Sequence, residues 1–162
     1  MVREQRRSRV IAMTPGELDA FLAEQRTCRI ATTGPDGPHV APLWFVWDGQ
    51  LLWVSSLTRS QRWANIARDP RVAVVMDDGH HYHELRGVEI EGQAAAVGPV
   101  PRTKDDPPVP ELAEPERLMA EKYSSGSGGG SGGGPDGRHA WLRITPSKIV
   151  SWDFRKLATL SR

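Results

Sequence analysis

The spacing of apolar residues along this chain changes period several times, and each change marks an element. Leu18, Phe21 and Leu22 fall at helical spacing behind Thr14-Pro15-Gly16-Glu17, a capping-box pattern with proline at the first helical position, and predict a helix over residues 15–25. Cys28 to Thr33 then alternates like a half-buried strand and breaks at Gly34-Pro35-Asp36-Gly37-Pro38, which implies a hairpin. His39 to Trp47 reads as the returning strand, turns at Asp48-Gly49, and is answered by Leu51 to Ser56. Val72 to Met76 is almost continuously apolar, and Gly87 to Val97 alternates again. Trp141 to Trp152 is the last strand, with Trp141, Arg143 and Thr145 on one face and Leu142 and Ile144 on the other. Six strands with two or three short helices predict a mainly β fold, an antiparallel barrel closed or partly closed.

Between the third and fourth of those strands the pattern turns helical. Ser60 is a good N-cap, Trp63, Ile66 and Ala67 form an i, i+3, i+4 apolar face, and Asp69-Pro70 stops the helix. The first-turn N–H groups of such a helix are unpaired and partly positive, and Thr58, Arg59, Ser60 and Arg62 surround them with further donors. That cluster suits a phosphate. A capped surface helix with solvated arginines fits the same spacing.

Composition narrows the class. At 162 residues and 38% hydrophobic, the chain is read as one globular domain over 1–162, with an N-terminal arm over 1–13. A proline-rich stretch and an amphipathic segment, Glu111 to Tyr123, precede residues 124–134, which are only Ser and Gly and read as a flexible loop. The net charge of +1 gives no field for general nucleic-acid binding. Cys28 stands alone, so no internal disulfide is expected; with neither a signal-peptide core nor a spanning apolar run, a cytoplasmic protein is expected. His81 and His83 do not form a zinc pattern, and no metal is expected.

Four stretches together are similar to a known family: Arg29 to Trp44, Ser60 to Val72, Leu85 to Gly92 and Ser151 to Leu157. In order and spacing they resemble the pyridoxamine 5′-phosphate oxidase-like split barrels, and most nearly the flavin/deazaflavin oxidoreductases that use FMN or the deazaflavin coenzyme F420. The resemblance implies a six-stranded antiparallel split barrel with short flanking helices, a homodimer, and cofactor sites at the subunit interface. It places the cofactor phosphate at Thr58, Arg59, Ser60, Gln61, Arg62 and Asn65, with Arg62 where many relatives carry lysine. It lays the ring along Val40, Ala41, Pro42, Leu43 and Trp44 and against Ser55 and Ser56. Trp152 and Arg155 would reach the site from the other subunit.

Hydride transfer from reduced F420 to an activated double bond or conjugated carbonyl of a small molecule is the activity this implies, with no nucleic-acid or membrane partner. Seventeen of the 21 basic residues are arginine, a balance that resembles GC-rich actinobacterial coding. An FMN-binding flavoprotein, or a non-enzymatic carrier or storage protein for F420 or haem, is the alternative. The chain lacks a C-terminal counterpart of the substrate-phosphate motif of pyridoxamine phosphate oxidases proper. No residue marks itself as catalytic, although Tyr82, His39 and Tyr123 are candidate proton donors.

Overall fold

Two residues decide the shape of the sheet. Its strands are β1 (Cys28–Gly34), β2 (Gly37–Leu43), β3 (Val46–Trp47), β4 (Leu52–Leu57), β5 (Arg71–Asp78), β6 (Arg86–Val97) and β7 (His139–Asp153), ordered β2-β1-β5-β6-β7-β4-β3. The strands β2 and β3 therefore lie at opposite ends of the order, yet only Trp44 and Phe45 separate them in the chain. Three Cα steps reach at most about 11 Å, so the sheet must curl until its ends meet. The result is a split barrel, antiparallel in every named pair. It is shown by a computed structural model that describes residues 1–3, 5, 9–124 and 134–160.

Seven strands replace the six expected, because His39 to Trp47 is not one strand. The pairs Val46 with Trp53 and Trp47 with Leu52 close β3 onto β4. Continued backwards, that register would set Trp44 and Leu43 level with Ser55 and Ser56, but β2 leaves there to pair with β1. The ends of the sheet are thus joined by the chain and parted as a ladder, leaving a seam between β2 and β4.

The barrel interior is filled by Ile30, Leu52, Val54, Val74, Met76, Val88, Ile90, Leu142 and Ile144, plugged by Phe21 and Leu22 of α1 (Pro15–Glu24). Thr14 starts that helix with both bonds of its capping box: the Glu17 N–H donates to Thr14 Oγ1 at 3.3 Å, and the Thr14 N–H to Glu17 Oε2 at 2.7 Å. A second cluster lies outside the sheet, where Trp53, Trp141 and Val46 meet Leu112, Met119 and Tyr123. The last two belong to α3 (Ala113–Tyr123), which follows α2 (Gln61–Arg68) in the chain. Burial on both faces explains why Leu52-Trp53-Val54 is continuously apolar.

Among the arm residues described, Arg3 and Gln5 do not float. The Arg3 N–H donates to Ser147 O at 2.9 Å, and the Gln5 side-chain amide both donates to and accepts from the Ser151 backbone, at 3.0 and 2.9 Å. The expected Gly/Ser loop falls largely on residues 125–133, outside the described residues. No helix among the described residues is long and apolar enough to cross a membrane.

At the end of α3, Lys122 Nζ donates to Leu22 O at 2.9 Å and stands 3.8 Å from the centre of the Phe45 ring. Burial lowers its pKa to about 8 from an ordinary value of 10.5. The unfolded chain therefore binds this proton more tightly, and the burial penalty, fully present below pH 8, is relieved as the pH rises from 8 towards 10.5. Urea midpoints of the wild type should rise between pH 7 and about 9.5, and Lys122→Met should remove that rise. A wild-type midpoint that is flat or falling over that range would contradict the assignment.

Candidate functional site

The seam is where the predicted residues converge. One wall is the outer strand β2, whose ladder to β1 can be assigned without ambiguity because Pro38 and Pro42 have no N–H. Gly37, His39, Ala41 and Leu43 must make the ladder bonds, and the backbone of Pro38, Val40 and Pro42 faces the open edge. Between the two prolines that edge offers a single N–H, that of Val40. On the outer side, Val40 and Trp44 are 65% and 45% exposed and flank Pro42, while Ala41 and Leu43 point inward. Val40 to Trp44 thus contributes two faces, and only its outer stripe and edge are open to a ligand.

The opposite wall is β4. Ser55 is half-buried, and Ser56 is fully buried with its hydroxyl turned towards α2. Helix α2 crosses the seam, and the side it buries differs from expectation. Arg62, Asn65 and Ile66 are buried, whereas Trp63 is half-buried and Ala67 exposed. The reason lies in what the helix meets: on β4 the Ser56 hydroxyl accepts from Arg62 Nε at 3.1 Å, and on β1 the Thr32 hydroxyl accepts from Asn65 Nδ2 at 3.0 Å. Two polar side chains thus span two strands that do not pair with each other. Gly34 makes room for this, since a Cβ there would lie 3.1 Å from Asn65 Oδ1.

Several predicted phosphate ligands are already engaged. Ser60 caps α2, accepting from the Trp63 N–H at 3.1 Å and donating to Leu57 O at 2.8 Å. The Thr58 hydroxyl donates to Arg138 O at 3.1 Å, docking the start of β7 onto the turn. Asn65 Oδ1 accepts from Gln61 Nε2 at 2.8 Å and Arg68 Nη2 at 3.0 Å. In the structure Thr58, Ser60, Gln61 and Asn65 hold the turn and helix in place, and Arg59 is exposed beside them.

Arg62 is different. It is only 5% exposed, and among the described residues no carboxylate pairs with it and only Nε of its five N–H donors has a protein partner. Burial lowers its pKa, the direction expected of a desolvated charge lacking a counter-ion. The first turn of α2 contains no acidic residue, and its Gln61 and Arg62 N–H groups lack acceptors among the described residues. A buried guanidinium with spare donors at such a helix start fits an anion with several oxygens.

Other candidates separate by their surroundings. Trp44 stacks on Tyr123, ring centres 4.4 Å apart and planes 12° from parallel. The Tyr123 hydroxyl is buried against Phe45 and Arg26, and burial raises its pKa to about 12, so it is not a free proton donor. Tyr82 is 71% exposed and packs on Phe154. His39 faces inward opposite Thr32, with Nδ1 buried and unpartnered. In this chain Trp152 covers Gly87, where a Cβ would come within 2.3 Å of the indole, and Arg155 pairs with Asp153. Arg155 also lines an open hollow of about 530 Å³ with Asp78, Gly79, His80, Glu84 and Arg86. None of the α2 residues takes part in that hollow.

With this geometry in hand, comparison with known proteins is informative. The family model for pyridoxamine 5′-phosphate oxidase matches residues 14–153. No curated protein matches the chain. Among solved structures, a conserved hypothetical protein of Mycobacterium tuberculosis, Rv2991, is 32% identical, with 96% of this chain and 93% of that one covered and a TM-score of 0.73. An F420 reductase is 23% identical over 81% of this chain and 94% of its own, with a TM-score of 0.60. The FAD-binding protein of Mycobacterium smegmatis is 20% identical over 88% and 98%, with a TM-score of 0.63. The last two likenesses concern the fold. The mainly β, antiparallel sheet with a few helices is the architecture of these proteins, and the chain belongs to the pyridoxamine 5′-phosphate oxidase family.

The unpaired cation generates a prediction that separates binding from folding. Arg62→Met removes a buried charge and keeps most of the volume, so in anion-free buffer its thermal midpoint should equal or exceed that of the wild type. Inorganic phosphate should stabilise the wild type, by about 2.7 kcal/mol at a hundredfold excess over Kd, and leave the variant unmoved. Equal phosphate responses in the two proteins would remove Arg62 from the anion site.

Proposed function

We propose that this protein is an oxidoreductase that holds a phosphorylated flavin-type cofactor in the seam, coenzyme F420 in preference to FMN, and passes hydride to a small conjugated acceptor. The observation that carries this reading is the buried Arg62 guanidinium, whose spare donors lack a counter-ion among the described residues. Arg62, the open N–H groups of α2 and the exposed charge of Arg59 would bind the phosphate. Bound F420 supplies two-electron hydride chemistry without the ring nitrogen through which flavins react with oxygen.

The chain's own work is orientation and exclusion of water. Val40 N–H is the edge donor available to the ring, Pro42 and Trp44 form its apolar wall, and Ser55 and Ser56 stand opposite. His39 turns to the inner side of β2 with its Nδ1 buried, away from the open stripe, so in this reading solvent supplies the proton. The chain acts as a homodimer in this reading, with Trp152 of the partner subunit and Arg155 of the partner subunit closing each site. The similarity to an F420 reductase supports the choice of deazaflavin.

The test is a titration of purified protein with F420 and, separately, with FMN, following tryptophan emission and ligand fluorescence. Tighter binding of F420 is expected, and Arg62→Ala should weaken it by about 1.5–3 kcal/mol, the worth of hydrogen bonds to a charged group. Preference for FMN would move the protein to the flavin branch, and an Arg62→Ala affinity equal to the wild type would overturn the phosphate assignment.

A further inference from the structure

Trp44 and Phe45 carry the chain across the seam, and one side chain from elsewhere holds both. The Phe45 N–H donates to Tyr123 Oη at 3.0 Å, and that oxygen lies 2.9 Å from Phe45 O and 2.7 Å from Arg26 O, where its single proton serves one carbonyl at a time. The same phenol ring lies flat against the Trp44 indole, and the Arg26 guanidinium stands 4.9 Å from its centre. Tyr123 is 7% exposed and Phe45 is fully buried, so the junction is anchored on the side away from solvent. Trp44 remains 45% exposed, and it continues the stripe formed by Val40 and Pro42.

We infer that Tyr123 is a positioning residue: it fixes the plane of Trp44, so that helix α3 sets the wall against which a planar conjugated ring stacks in the seam. This inference rests on the seam reading above. It assigns α3, which contributes none of the predicted ligands, a role in ring recognition. The hydroxyl and the ring of Tyr123 do separable work. The hydroxyl secures the backbone of the junction, while the ring orients the indole.

Two variants separate these roles. Tyr123→Phe keeps the ring and loses the hydroxyl, whereas Tyr123→Leu loses both. Each should lower the thermal midpoint, because the Phe45 N–H loses its acceptor. Measured where all the proteins are fully folded, F420 and FMN affinity should stay within about twofold in Tyr123→Phe and fall about five- to tenfold in Tyr123→Leu. Trp44→Ala should reproduce the loss, and adding Tyr123→Leu to it should cause no further loss. The phosphate-induced shift in midpoint should survive in both Tyr123 variants, since that site belongs to α2. Wild-type affinity in folded Tyr123→Leu would overturn the inference while leaving the seam reading intact, whereas a wild type that takes neither cofactor would overturn both.

Discussion

A sheet whose two ends are joined by two residues but do not pair with each other must satisfy its open edges by other means. In this protein that requirement organises most of the polar interior. At one place α2 lies across the gap and sends Arg62 to Ser56 on β4 and Asn65 to Thr32 on β1. At another, Tyr123 ties the Trp44-Phe45 junction to α3 and to the Arg26 carbonyl. The buried Thr32, Ser56, Arg62 and Asn65 thus gather beside the gap, as expected when buried polar groups must find partners.

In the proposed reading, Arg62 turns such a gap into a site. A guanidinium whose only task was to bridge to Ser56 would be a costly choice, since a neutral donor could make one hydrogen bond without desolvating a charge. The cost is sensible when an anion completes the arrangement. Asn65, one turn further along, is the contrasting case: it is neutral, buried and bonded to Gln61, Arg68 and Thr32. Two neighbours on one helix face thus differ: both bond to the sheet, but only Arg62 carries a charge with spare donors.

Much of this was legible in the sequence where local chemistry decides. The capping box at Thr14 and the Ser60 cap with the stop at Asp69-Pro70 appear as local rules require, because each involves groups a few residues apart. The strand break at Trp44 was not legible, because the choice between pairing with β1 and pairing with β4 is made by distant partners that alternation does not encode. The buried side of α2 was legible only in part, for a related reason: Ile66 is buried and Trp63 packs against the same core, but Ala67 is exposed. Hydrophobic spacing put Trp63, Ile66 and Ala67 inward, but the groups opposite proved to be the hydroxyls of Ser56 and Thr32, so the helix turned Arg62 and Asn65 towards them. Of the residues the family resemblance marked, Val40 to Trp44 and Ser55-Ser56 fall on opposite walls of one seam, an arrangement the chain order alone does not reveal.

The prolines of β2 have a consequence outside ligand binding. An uncovered strand edge ordinarily invites a strand from another molecule, and through it edge-to-edge aggregation. Here a recruited strand would find one N–H between Pro38 and Pro42, too few donors to propagate a ladder. The edge can therefore stay uncovered for a small molecule while refusing polypeptide, so the opening that a ligand needs does not become a liability for solubility.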